Sequence, residues 1–229
     1  TKETASLITT KEYKDWKERL GCPRFNSLAS YYIKGQFNAH DSYTLSLKNI
    51  LQQNIGRKEP LKIVEIGCYL GQSTSFLCEA LLTLYQLGMT DANFDVHVVD
   101  TFEGASPDEY ETASSHGGNF YEKFKSNMGP LFDSITVHRG MSKDCVNDFD
   151  DDTIDFLFID GDHDYDAVFS DIRDWHPKMR DGGIMAGHDW QDPGVRAAYA
   201  KLFYRPPTFI INNSWGVRLV KKADFDARF

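Results

Sequence analysis

The sequence predicts an α/β protein built on a doubly wound, Rossmann-like sheet. The sheet has seven strands, mostly parallel, with a C-terminal antiparallel hairpin and an N-terminal helical cap. Three observations carry this expectation. From residue 61 onward, short apolar runs rich in β-branched residues alternate with longer segments of helical period, the pattern of parallel strands joined by crossover helices. Several of the runs end in an acidic or polar residue, as expected where a ligand crevice lies outside the carboxyl ends of the strands. After the last of them, two extended segments follow one another across a very short connection.

Before residue 61, KEYKDWKERL and SYTLSLKNILQQ have helical periodicity, and the aromatic stretch between them, with Phe25, Tyr31, Tyr32 and Phe37, is irregular. Residues 1–60 therefore read as a cap or substrate-side extension, with packing of the aromatic cluster against the sheet as an equal alternative. The first strand is expected at 62–67 (KIVEIG) and its crossover helix near 71–87. The second strand, 95–100 (DVHVVD), leads into a long polar loop over 101–120 and a helix near 118–128. The third strand is 134–139 (SITVHR) and the fourth 154–160 (IDFLFID). A helix over 164–180 then places Tyr165, Val168, Phe169, Ile172 and Trp175 on one apolar face. The fifth strand is 183–188 (GIMAGH), with a helix near 194–203. TFIINN and WGVRLVKK would form the hairpin, with Asn213 and Ser214 in its turn.

A chain of 229 residues with 41% hydrophobic side chains can bury one sizeable core. Its net charge of −9 argues against nucleic acid or an anionic lipid surface as partner and fits a small-molecule substrate better. Cys22, Cys68, Cys78 and Cys145 form no CxxC pair, so neither a disulfide framework nor a cysteine zinc site is signalled, and a reducing, cytoplasmic setting is expected. No apolar run approaches the roughly 20 residues that cross a bilayer. A homo-oligomer is compatible with all of this.

The chemistry concentrates at the strand ends. In EIGCYLG, Gly67 and Gly71 bracket a turn where missing β-carbons would let a ligand approach the backbone. The pattern is ExGxxxG rather than GxGxxG, and an acid beside the turn suits a positively charged ligand better than a pyrophosphate. Asp100, in VVDTFEG, sits where a carboxylate can accept ribose hydroxyls. Met141 and Ser142 in HRGMSKD would supply an apolar thioether and a small polar group to the same ligand. Asp160, Asp162, His163 and Asp164 crowd the end of the fourth strand, which costs energy unless a cation or hydrogen bonds offset it.

EIGCYLGQST, VVDTFEG, RGMSKD, FIDGDHDY and DGGIMAGHD occur in the order seen in class I S-adenosylmethionine-dependent methyltransferases. Over about residues 60–190 the chain resembles the group of these enzymes with a FIDGDHxY segment and a late GHD. The resemblance implies a methyltransferase domain over 61–229 and a cofactor, S-adenosylmethionine, whose amino-acid end lies near Glu65, Gly67 and Gly71. It places the ribose at Asp100 and the adenine at Met141 and Ser142, with Tyr69, Ser73, Thr101 and Asp160 as further cofactor contacts. Some related small-molecule O-methyltransferases use a divalent metal, and by motif its ligands here would be Asp160, His188 and Asp189. Oxygen ligands suit magnesium, and the imidazole moves the expectation toward manganese, zinc or iron. Asp162, His163 and His188 are the candidate bases that would take a proton from an acceptor hydroxyl. Tyr110, His116, Trp190 and Trp215 are candidate substrate contacts that spacing does not select over packing. Competing readings are a nicotinamide-dependent oxidoreductase, disfavoured by the missing second close glycine and the lack of a YxxxK pair, and a non-catalytic cofactor-binding domain.

Overall fold

The structure, a computed structural model, describes Lys11, residues 57–86, 93–104, 120–211 and 213–220, Phe225 and Arg228. The predicted cap, apart from Lys11 and 57–60, lies outside the described residues, as do Tyr110 and His116 with 105–119 of the predicted loop.

The strands are β1 Leu61–Ile66, β2 Phe94–Asp100, β3 Ile135–Arg139, β4 Ile154–Ile159, β5 Met179–Gly187, β6 Phe209–Ile211 and β7 Ser214–Arg218. They form one sheet in the order β3-β2-β1-β4-β5-β7-β6, with β1 to β5 mutually parallel and both contacts of β7 antiparallel. Helices α1 Gln72–Gln86, α2 Phe120–Met128, α3 Ser142–Cys145, α4 Tyr165–Trp175 and α5 Pro193–Leu202 connect them. The chain builds outward from β1 to β3, then returns to place β4 on the other side of β1. Strand order therefore reverses between β1 and β4, the position at which doubly wound sheets open a ligand crevice.

The apolar runs are nearly continuous because both faces of the sheet are covered. Phe156 and Phe158 of β4 join Ile63, Val98, Phe120 and Phe124 in one core, while Leu157 and Ile159 join Val64, Val168, Ile172, Trp175 and Trp215 in the other. The period-2 alternation of side chains sends successive β4 residues to opposite cores.

Three boundaries differ from the sequence expectation. The helix predicted over 164–180 stops at Trp175 and gives way to a 3-10 turn, His176–Lys178, because Pro177 has no N–H to donate and disfavours helical backbone at the residue before it. β5 begins at Met179 rather than 183, and its pairing with β4 shifts register between Ile154 and Phe156, so that Met179 faces Ile154 and Ile184 faces Phe156. In the hairpin, Asn213 is in the turn with φ 67°, but Ser214 is the buried first residue of β7. Of the predicted apolar face of α4, Val168, Ile172 and Trp175 are buried, whereas Tyr165 and Phe169 are partly buried and stack on each other at 5.7 Å. No helix among the described residues is long and apolar enough to cross a membrane, and Cys68 and Cys145 are free thiols.

Candidate active site at the carboxyl edge of the sheet

The tips of β1, β2, β4 and β5 are laced together by backbone hydrogen bonds that continue the sheet past its strands. Gly67 N–H donates to Val99 O (2.9 Å), Asp160 N–H to Ile66 O (2.8 Å) and His188 N–H to Ile159 O (3.0 Å). This lacing brings the β1–α1 turn, the Asp160 segment and the His188 segment to one edge.

Within the turn, the missing β-carbons serve the protein itself. A β-carbon on Gly67, whose φ is 80°, would lie 2.1 Å from the Asp160 carbonyl oxygen; one on Gly71, at φ 90°, would press on Phe124 and Met128 at 3.0–3.1 Å. The sequence reading assigned that space to a ligand, and packing of the turn against β4's end and against α2 takes it. Glu65 is fully buried and its Oε2 accepts a 2.5 Å bond from the Thr74 hydroxyl on α1. Ser73 is likewise buried, in the first turn of α1.

Asp100 closes the turn from β2. Its Oδ2 accepts the N–H groups of Cys68 (2.9 Å) and Tyr69 (2.8 Å), and its Oδ1 accepts that of Phe102 (2.7 Å). Tyr69 and Phe102 have φ of 46° and 58°, a conformation costly for aromatic residues, and the carboxylate holds both in place. The Thr101 hydroxyl accepts from Glu103 N–H (3.2 Å), bending the chain away after β2. An ionised carboxylate offers about four lone-pair positions, so Asp100 keeps capacity for a further donor beside its three backbone bonds.

After β3, Met141 is 52% exposed and available to cover a flat apolar ligand. The Ser142 hydroxyl is engaged within the protein, accepting from Trp175 Nε1 (2.7 Å) and bonding to Asp171. Asp171, on α4, was not singled out by the sequence, although an acid beside Val168, Ile172 and Trp175 on a helix was a legible irregularity. Burial pushes its carboxyl up to about 6, with Asp174 and Asp162 adding to the rise and the bond with Ser142 opposing it. An unfolded aspartate titrates near 3.9. Between those values the folded chain keeps a proton the unfolded chain has released, so stability falls as pH rises from about 4 through about 6, and the penalty persists above. Asp171→Asn removes the ionisation and keeps an acceptor for Ser142. We expect its Tm to exceed that of the parent by several degrees at pH 8 and to match it at pH 4, as read by thermal unfolding.

The densest charge lies at the ends of β4 and β5. Asp189 has φ 54° and receives donors on both carboxylate oxygens. His163 Nε2 lies 2.8 Å from Oδ2, His188 Nδ1 lies 3.1 Å from Oδ1, and Asn213 Nδ2 donates to Oδ1 at 3.1 Å. His188 Nδ1 is also 3.6 Å from Asp160 Oδ1. Burial would raise the Asp189 carboxyl, but the bonds from His163 and His188 hold it well below the ordinary carboxylate range. Burial pushes Asp160 up to about 7 against the attraction of His188, with Asp189 adding to the rise. His188, although burial disfavours its charge, is raised by Asp160 and Asp189. His188 is thus enclosed between two acidic side chains, whereas His163 stands at the rim with 39% of its side chain exposed. Asp162 is exposed, and its Oδ1 accepts the N–H of Asp164 (3.0 Å).

The expected metal set was Asp160, His188 and Asp189. The structure keeps His188 beside both acids, and it also groups Asp160, His163 and Asp189, which offer one ligand atom each within 4.8 Å of one another. Trp190 and Trp215, considered as substrate contacts, pack with Tyr199 in the core beside α5, and Trp215 is buried. Asn213 entered the sequence reading only as a turn residue, and its bond to Asp189 could not be read from spacing because the two lie on different connections of the sheet.

Acidic side chains gathered at the carboxyl edge of a doubly wound sheet, beside its switch point, define an α/β protein of the class that binds small ligands at that edge. Residues 64–190 match the sequence model of a family described as a methyltransferase domain, and the chain belongs to that family. It is also 27% identical over 130 residues, 57% of its length, to the uncharacterized protein y4gI of Sinorhizobium fredii, of whose length it spans 13%. Among solved structures, the O-methyltransferase NovP superposes with a TM-score of 0.58 at 18% identity, covering 79% of each chain. CalS11, a TDP-rhamnose 3'-O-methyltransferase of calicheamicin biosynthesis, superposes with a TM-score of 0.52 at 13% identity, covering 91% of this chain and 95% of its own. Cofactor-bound Rv0187 from MTB gives 0.52 at 14%, covering 93% and 98%. At these identities the structures share the fold.

Proposed function

We propose that the chain is an S-adenosylmethionine-dependent methyltransferase, of the group with a FIDGDHxY segment and a late GHD, that transfers a methyl group to a hydroxyl oxygen of a small molecule. The observation that carries the reading is the His163–Asp189 pair at the rim of the crevice, directly beyond the Gly67 turn and Asp160. S-adenosylmethionine supplies an activated methyl group when bound, so the chain has to orient the acceptor and remove its proton. Gly67, Tyr69 and Gly71 shape the floor for the cofactor, Asp100 offers its remaining acceptor capacity to the ribose, and Met141 covers the adenine.

Of the three candidate bases, His163 fits best. His188 is enclosed, with its Nδ1 turned to Asp160 and Asp189 and away from an incoming acceptor, and Asp162 lies at the solvent edge. With Nε2–H directed at Asp189, the His163 ring receives the hydroxyl proton on Nδ1 while Asp189 stabilises the resulting charge, a division of labour worth about 10²–10⁴ in rate. A second reading is favoured by the convergence of Asp160, His163 and Asp189. Two carboxylates and an imidazole suit manganese better than magnesium, and burial disfavours an ionised Asp160, a cost that a cation would offset. A divalent ion there would acidify an acceptor hydroxyl.

Titration calorimetry with S-adenosylmethionine, S-adenosylhomocysteine, NAD and Mn²⁺ tests these readings. Binding of both sulfur nucleotides and not NAD is expected. Binding of NAD alone would sink the methyltransferase in favour of an oxidoreductase, and failure of Mn²⁺ to bind would remove the cation. A screen of acceptors with a labelled methyl donor then separates an enzyme from a non-catalytic binding domain.

A further inference from the structure

We propose that Asn213, in the turn between β6 and β7, is a positioning residue that sets the direction of the Asp189 carboxylate. The inference rests on the reading of Asp189 as a working residue and holds whether that carboxylate orients His163 or binds a cation.

Asn213 meets the 189–191 segment through three groups at once. Its Nδ2 donates to Asp189 Oδ1 (3.1 Å), its Oδ1 accepts Gln191 N–H (2.7 Å), and its main-chain oxygen accepts Trp190 N–H (2.9 Å). Asp189 and Asn213 both adopt left-handed backbone, with φ of 54° and 67°, a conformation in which Asn and Asp are the most tolerated side chains after glycine. Such backbone persists where the surroundings over-determine it. The segment is braced independently by Arg196 of α5, whose Nη1 donates to the carbonyls of Trp190 (3.0 Å) and Gln191 (2.7 Å), and by Asp192 N–H, which donates to Asp189 O (2.8 Å). The path of the backbone therefore has other supports. The bond to Oδ1 is different in kind. With His188 Nδ1, also 3.1 Å from Oδ1, it holds one oxygen of the carboxylate and so turns the other, Oδ2, toward His163 Nε2.

The residue type follows from this double duty. Asparagine puts a donor and an acceptor on separate atoms of one short side chain and tolerates left-handed backbone. Aspartate would keep the acceptor for Gln191, lose the donor and place a like charge against Asp189. Glycine would keep the backbone conformation and lose both side-chain bonds.

The test compares the parent with Asn213→Gly, Asn213→Asp and Arg196→Met. In crystal structures we expect the Asp189 Oδ2 to His163 Nε2 contact to open beyond about 3.5 Å, the limit of a hydrogen bond, in both Asn213 variants and to stay closed in Arg196→Met. With an acceptor found by screening, kcat should fall about 30-fold for Asn213→Gly and more for Asn213→Asp. KM for S-adenosylmethionine should stay within about twofold, and Arg196→Met should lower Tm while keeping kcat. An unmoved Asp189 carboxylate in Asn213→Gly overturns the proposal. So does an equal loss of kcat in Arg196→Met, which would make Asn213 one loop brace among others. If the carboxylate moves and kcat does not, the reading of Asp189 fails while the positioning by Asn213 stands.

Discussion

Asp189→Asn should abolish methyl transfer, with a loss of about three orders of magnitude or about 4 kcal/mol in the barrier, while S-adenosylhomocysteine affinity stays within about twofold. Asparagine tolerates the left-handed backbone at this position and is close to isosteric, so the change tests chemistry more than shape. Three donors converge on the native carboxylate, from His163, His188 and Asn213. An amide has one accepting oxygen, so its NH₂ group faces at least one of those donors and the His163 ring loses its fixed direction. The charge that stabilises a protonated His163 is lost together with that direction. Rates measured with labelled methyl donor, together with calorimetry of the product nucleotide, check both halves. Activity within tenfold of the parent would take Asp189 out of the reaction.

Asp100→Ala should combine weaker cofactor binding with a marked loss of stability. Removing the carboxylate strips acceptors from the N–H groups of Cys68, Tyr69 and Phe102, and Cys68 is buried. Hydrogen bonds to a charged group contribute about 1.5–3 kcal/mol each, and losses within one turn do not add fully, so about 3 kcal/mol or more is the expected destabilisation. Tyr69 and Phe102 would relax toward ordinary backbone, carrying the turn out of shape. Cofactor affinity should fall at least tenfold, or about 1.4 kcal/mol. Asp100→Asn, which keeps one accepting oxygen, should fall between parent and Ala in both measures. Denaturant unfolding gives the first quantity, and calorimetry at a temperature where the variant is folded gives the second. Undiminished affinity in a destabilised variant would leave Asp100 with the turn alone.

The two residues show how far the sequence could be read. Asp100 stands out in the sequence because it ends a β-branched run at a position fixed by the topology of the fold. Its three backbone bonds were not found, since they depend on where the β1–α1 turn folds back after β1 and β2 have paired. Gly67 and Gly71 were legible as positions needing unusual backbone. That the freed space belongs to the Asp160 carbonyl, Phe124 and Met128 follows only from packing of segments far apart in the chain. The premature end of α4 was within reach of the sequence, because Pro177 dictates it locally. The start of β5 was not, because the register shift opposite Ile154 is a property of the pair of strands.

By itself the sequence determined the order of elements, the parallel character of the sheet and the set of acids carried to one edge. These follow from side-chain periodicity and from backbone preferences that act within a few residues. Tertiary structure alone decided that His163 reaches Asp189 at the rim beside Asp160, and that Asn213 bonds to the Asp189 carboxylate. The direction of a side chain at a strand end is set by neighbours from other strands, through contacts of a few ångströms between residues remote in the chain. Spacing along the sequence carries no measure of those distances.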